Sequence, residues 1–547
     1  MRIPWRRLAV SALGVTSIAA LFEGVHPAFA DTYPRQSSVD AVHYVFRLTL
    51  TDAGNEIAGE STAVLRILTA GTREAILDLT SRNADKGMSV SAVACGGTPA
   101  VFVHDSNRLR ITFAQPQPAG AEVSCTTAYR GVPGGGLRLI DNIHGERTAF
   151  SENWPDNARQ WLPMIDHPYD KATGEFIVTA PAHYQVVANG VLVEETDLPG
   201  GQRRTHWKQS VPIASWLYAL GMARFTVRHY ATSKGIPQQT WVFPQNADNG
   251  RKVFEAAGRR AFDFFSEQIG PYSYEKLAHV QAAGLGGGTE HASAIFYGEK
   301  GVASGGGPVV HEVAHQWWGN AVTERDWDDV WLSEGFATYF TLLHAEQFDG
   351  REAFVRGLRS SRDRILALER SSPDTPVIHR NLSDMRRVLN QFVYQKGGWT
   401  LHMLRYTIGT DRFWEGVREY YRRYQNQNAS TDDLRQIMER VSGTDLRWFF
   451  AQWLTRSGVP ALTGTWSYDA AAKQIVVELK QTQTGDPYRL PIEIGIAAGP
   501  AAAPRIERVE LSGRDGRYTF AADAEPASVA LDPNTWVLME PPQFRRK

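Results

Sequence analysis

The sequence predicts a multidomain α+β protein in which an antiparallel β domain, a mostly helical domain and a small β domain follow one another. Three observations carry this reading. From about residue 40 to 228, short stretches alternate apolar and polar residues between turn-forming clusters, the period of half-buried strands. Near residue 250 the apolar spacing becomes helical, and beyond Pro460 the alternation returns. With 547 residues, 43% of them hydrophobic, the chain is long enough for about three buried cores.

The first thirty residues read as a secretory signal. Arg2, Arg6 and Arg7 precede an apolar run from Leu8 to Phe22, and Ala28-Phe29-Ala30 puts small residues at the two positions a signal peptidase reads. The run is short for a membrane span. The expectation is a signal peptide at 1–30, a mature start at Asp31, and an exported chain, periplasmic or secreted. No stable membrane insertion is expected after cleavage. Arg6-Arg7 leaves twin-arginine export open beside the general route. With 58 basic against 59 acidic side chains, the charge balance offers nothing to draw nucleic acid or an anionic membrane.

The β domain is expected over residues 31–228. Tyr44 to Leu50, Thr62 to Leu68 and Leu109 to Phe113 alternate, and Asp52-Ala53-Gly54-Asn55 is one of the intervening turns. Its Cys95 and Cys125 make no zinc site by themselves, and in an oxidising compartment they can form one disulfide. The helical domain is expected over 229–458. Val253, Phe254, Ala257, Ala261, Phe264 and Phe265 share a helix face that Gly270-Pro271 ends. Ser430 and Thr431 before Asp432-Asp433, and Thr444 before Asp445, read as helix starts. Residues 459–547 form the last domain, with strands at Gln474 to Leu479, Leu490 to Ile496 and Arg505 to Leu511.

The chemistry lies in His311-Glu312-Val313-Ala314-His315. Pro308 suits a first helical turn, and residues four apart share a helix face, so His311 and His315 can direct imidazole nitrogens at one ion. Two imidazoles suit zinc. Glu312 lies about 100° around the helix from His311 and can approach a water without ligating the metal. Asp328 to Tyr339 reads as a second helix with acidic residues at its start. On it, Glu334 follows His315 after eighteen residues and supplies a third ligand. Two His and one Glu leave a fourth position open, the catalytic arrangement, so one Zn2+ per chain is expected.

His311-Glu312-Val313-Ala314-His315-Gln316-Trp317-Trp318-Gly319-Asn320, with Trp331-Leu332-Ser333-Glu334-Gly335-Phe336-Ala337 after it, closely resembles the M1 family of zinc aminopeptidases. The resemblance implies a saddle-like N-terminal β domain, a thermolysin-like catalytic domain and a C-terminal β-sandwich-like module. Many members add a large C-terminal helical domain. The residues beyond Pro460 leave no room for one, so the chain looks like a short form.

Zinc and a Glu312 base serve an endopeptidase equally well. An aminopeptidase also needs a carboxylate that receives the free α-ammonium. Gly284-Leu285-Gly286-Gly287-Gly288-Thr289-Glu290-His291 resembles the family's Gly-Ala-Met-Glu-Asn element. That likeness implies that Glu290 binds the amine and that Gly287, Gly288 and Thr289 line the substrate. Thr289 stands where the family has methionine and His291 where it has asparagine. Tyr394 matches the tyrosine that family members aim at the reaction centre, where a phenol can donate to an oxyanion. Glu152 falls in a segment resembling one that contributes a polar residue near the amine, and a plain surface carboxylate is the other reading.

The expected function is removal of N-terminal residues from peptides with a free N-terminus, through a zinc-activated water with Glu312 as general base. The alternatives are a zinc endopeptidase and the epoxide hydrolysis seen in a minority branch of the family. A non-catalytic scaffold is disfavoured because all four metal-site residues stand.

Overall fold

A computed structural model describes residues 31–379, 382–499 and 502–547. The expected signal peptide lies outside the described residues. The N-terminal domain is built on an eight-stranded sheet. Its middle strands are Lys171–Pro181, Val39–Thr49, Ile57–Ile67 and Glu122–Val132. Every pairing in this sheet is antiparallel except that of Val39–Thr49 with Lys171–Pro181. The alternation read from the sequence is the alternation of burial: Tyr44, Phe46 and Leu48 point into the core, while Arg47 and Thr49 face solvent. Cys95 and Cys125 stand directly opposite on adjacent strands and are bonded to each other.

A four-stranded sheet, with Arg147–Glu152 in its interior, carries the N-terminal domain against the central one. The central domain begins with its own five-stranded sheet, whose first strand is Thr226–Ser233. The expected boundary at 228/229 therefore falls inside that strand. The two-residue strand Gly288–Thr289 forms the far edge of this sheet and opens onto the helices.

The helical part follows the sequence signals with local differences. The expected run near 250 is the helix Ala247–Gln268. Ser430 caps Thr431–Ser442 with a full capping box closed by Asp433. Thr444 does not start a helix: Arg447–Leu454 begins three residues later, and the Asp445 carboxylate accepts from the Arg447 N–H. The acidic residues Asp328 and Asp329 lie in a separate 3-10 turn, Trp327–Asp329, and the helix itself is Trp331–Asp349. The strands expected beyond Pro460 are present in two sheets of four and three strands. Among the described residues, no helix is long and apolar enough to cross a membrane.

Candidate active site

Three helices and one sheet edge meet in a buried centre. The short helix Val309–His315 contributes His311, Glu312 and His315, and Trp331–Asp349 contributes Glu334 from its first turn. Gln391–Ile408, capped by the Asn390 side chain, contributes Tyr394. This third helix crosses the second at a pair of glycines. A Cβ on Gly335 would lie 2.9 Å from the Gly397 carbonyl carbon, so no larger side chain fits between the two backbones.

The three expected ligands converge. His311 Nε2 and His315 Nε2 are 3.1 Å apart, and Glu334 Oε2 lies 3.4 and 3.3 Å from them. Atoms held about 2.0–2.2 Å from one tetrahedral zinc sit roughly 3.3–3.6 Å apart, so the triangle has the size of one face of a zinc site. Glu334 Oε2 is buried without a well-formed hydrogen bond. His315 Nδ1 is 3.1 Å from the Trp318 carbonyl, which can only accept. That contact keeps the proton on Nδ1 of the neutral ring and turns the Nε2 lone pair to the centre. The residues therefore fit a zinc ion.

The electrostatics reflect the crowding of three carboxylates around two imidazoles. Burial pushes Glu312 far above the usual carboxylate range, and the neighbouring Glu290 adds to it. Burial likewise raises Glu290, to about 7. Burial alone would lower His315, but Glu290 and Glu334 outweigh it and lift it to about 10. Glu334 moves against its burial, because His315 and His311 hold it down at about 2. Carboxylates outnumber imidazoles here, and a cluster with that excess favours bound cations.

Glu290 is 4% exposed, and its Oε1 accepts from the Trp154 indole N–H at 2.9 Å. Its backbone carbonyl is gripped by Gln316 Nε2 at 3.0 Å and Asn320 Nδ2 at 2.5 Å. Glu290, Glu312 and His315 present ligand atoms within 4.8 Å of one another, a second conceivable metal triple. Only the first triple has a third ligand besides two imidazoles, and it already uses His315 Nε2. Gly286 and Gly287 are exposed, Gly288 is half-buried, and Thr289 is buried with its hydroxyl 3.5 Å from Glu152 Oε2. Glu152 is half-buried beside Thr289, and burial raises it despite the opposing charge of Arg138. Tyr394 stacks at 6.3 Å from the His311 ring, and burial, with Glu334 and Glu290 nearby, keeps its phenol protonated. The structure thus brings His311, Glu312, His315, Glu334, Glu290 and Tyr394 together, with Gly288, Thr289 and Glu152 beside them, while Gly287 stands exposed in the preceding loop.

Sequence reasoning missed four residues. Gln316 and Asn320 stood within the quoted motif but were given no role. Trp154 lies two residues after Glu152, yet its partner Glu290 is 136 residues away. Glu324 is fully buried with both carboxylate oxygens unpartnered, and burial holds it well above its ordinary range. No sequence signal marks it.

Comparison with known proteins agrees with this geometry. The family profile described as the peptidase family M1 domain matches residues 259–453, and the peptidase M1 N-terminal domain matches 40–217. Aminopeptidase A of Gloydius brevicauda is 29% identical over 332 residues, covering 57% of this chain and 35% of its own length. The chain thus spans about a third of that relative. An M1 zinc metallopeptidase from Deinococcus radiodurans has a similar structure, with TM-score 0.67 and 25% identity over 80% of this chain and 96% of its own. A mutant of the Deinococcus protein has been crystallised with a Tyr-Ser-Ala substrate. Legionella pneumophila aminopeptidase A, solved with aspartic acid, shares the fold with TM-score 0.78, 18% identity, and 95% and 61% coverage.

Proposed function

The chain belongs to peptidase family M1, and from that premise we propose that it is a zinc aminopeptidase that hydrolyses the first peptide bond of substrates with a free N-terminus. The observation that carries the reading is the placement of Glu290. A clamped, buried carboxylate stands within 4.8 Å of Glu312 and His315, where a substrate ammonium can settle one residue from the centre. His311, His315 and Glu334 would hold the zinc ion, and its chemistry there would be Lewis acidity toward a water and a peptide carbonyl. Glu312 is the general base: it sits on the same short helix as His311 and His315 without joining their triangle, where it can take a proton from the water and return it to the leaving amine. Tyr394, kept protonated, donates to the developing oxyanion. Glu290 receives the α-ammonium, and Glu152 stands beside Thr289 as a second acceptor. Export to the periplasm or medium belongs to the same reading, on the signal at 1–30.

The test is a two-by-two measurement of kcat/KM, with wild type and Glu290→Ala each acting on free and N-acetylated peptides. Losing one member of a buried ion pair should cost Glu290→Ala about two to four decades on free-amine substrates. Acetylation should nearly abolish wild-type cleavage and add little to the mutant's loss, because both remove one interaction. Internal cleavage of acetylated peptides by the wild type at comparable rates would establish an endopeptidase instead.

A further inference from the structure

Ala28-Phe29-Ala30 points to cleavage before Asp31, and the structure builds a buried pocket around Asp31 itself. Asp31 is only 8% exposed. Its backbone nitrogen donates to Asp326 Oδ1 at 2.7 Å, and Thr32 N donates to the Leu382 carbonyl. The Asp31 carboxylate lies 2.7 Å from His167 Nε2 and accepts from Tyr33 N at 2.9 Å and Trp327 N at 3.1 Å. The second oxygen of Asp326 accepts from Arg35 Nη2 at 2.5 Å. Asp328 is close as well: its N–H approaches Asp326 Oδ1, and its carboxylate accepts from Leu382 N.

Among the described residues, Asp31 and Asp326 thus share this pocket with Asp328, with the Arg35 guanidinium and with His167, which burial pulls down and Asp31 pulls up. While residue 30 is attached, the Asp31 nitrogen is an amide with one proton and no charge. Asp326 is then pushed up to about 7, first by burial and next by the Asp31 carboxylate. A freed α-amino group has an ordinary pKa of about 8, so it would be cationic at neutral pH in direct hydrogen-bond contact with the Asp326 carboxylate.

We propose that removal of residues 1–30 creates a structural cation, the α-ammonium of Asp31, which pairs with Asp326 inside the fold and locks the turn that leads to the Glu334 helix. The step is hydrolysis by a signal peptidase. Water adds across the Ala30–Asp31 amide, Ala30 departs as a carboxylate, and the Asp31 nitrogen keeps the proton as an ammonium. The turn it secures has two ties to the reaction centre. Asp326 caps Trp327–Asp329, which runs on into the helix of Glu334. The Trp327 ring lies 5.0 Å from that of Trp154, whose indole holds Glu290. Processing and completion of the site are thereby joined, independently of which bond the enzyme cuts.

The test compares protein beginning at Asp31, released from a fusion partner, with the same chain retaining Ala30 as an extension. Each is made with Asp326 and as Asp326→Asn. The extended wild type should melt about 3–5 °C below the Asp31 form, and Asp326→Asn should erase the difference. An amine-reactive ester should acylate the Asp31 α-amine roughly tenfold more slowly than in Asp326→Asn, because the pocket shields it. Equal melting of the two wild-type forms, or a gap that survives Asp326→Asn, overturns the proposal, as does exported protein that begins at another residue. Should Asp326→Asn fail to fold, the wild type decides alone: an α-amine as reactive as that of a free dipeptide overturns it.

Discussion

Gly288 shows how little room the reaction centre leaves. A Cβ there would lie 2.3 Å from Glu312 Oε1 and 2.4 Å from its carboxyl carbon, so only glycine lets the sheet edge and the base share this space. Gly288→Ala should keep the fold and the zinc while kcat drops roughly 10²-fold, because Glu312 must move away from its water. Metal analysis alongside turnover checks it, and an unchanged kcat would show that Glu312 is not the base. At this scale the ligands and Glu312 were legible, because a spacing of four on a helix translates directly into geometry. Glu290 needed a family likeness, since a carboxylate in a glycine-rich stretch is ordinary by itself. Its indole partner Trp154 was not legible at all, because contact across 136 residues has no local signature.

Helix crossing sets the next level. Gly335 and Gly397 let two backbones touch, and Tyr394 lies one turn before Gly397 on the same face. Gly397→Ala should wedge the helices apart and withdraw the phenol, lowering kcat by about 10²-fold with KM little changed. Steady-state kinetics on one peptide series measures this, and a loss confined to thermal stability would show that the crossing serves packing alone. Most elements could be read from period and punctuation, as the Ser430 capping box illustrates. Thr444 misled because a capping residue type and an acid beside it also suit the loop that precedes a helix. The Trp327–Asp329 turn was hidden because its acids look like a helix start, whereas Asp326 and Asp31 hold it as a separate turn.

At the scale of the whole molecule, one lysine is buried at the junction of two domains. Lys276 of the central domain is 2% exposed, and its Nζ donates to the Ala188 carbonyl of the N-terminal domain at 2.7 Å, with the Trp207 ring 4.7 Å away. Burial, only partly opposed by Glu275, lowers its pKa from an ordinary 10.5 to about 7. As pH falls from about 10 to 7 the unfolded chain takes up this proton and the folded one does not, so the lysine costs growing stability over that window and a constant amount below it. Lys276→Met should therefore gain most over wild type at pH 6 to 7, with the advantage shrinking toward pH 10. Denaturant titrations at pH 6, 8 and 10 read this, and a gap that does not change with pH would mean that Lys276 never titrates in the fold. The three-part division was visible in the sequence as changes of period. The junction was not, because a lysine among polar neighbours reads as solvent-facing until tertiary structure encloses it.

The grip of Gln316 and Asn320 on the Glu290 carbonyl makes the stop and the blade a single piece. Gln316 follows His315 directly and Asn320 lies four residues further on, so one short stretch of chain ties the Glu290 backbone to the two imidazoles. On the proposed reading, the distance from the amine seat to the bond that is cut is set by that one short stretch of chain. If the chain acts as proposed, a poorly fitting side chain should slow each cut without moving the bond that is cut.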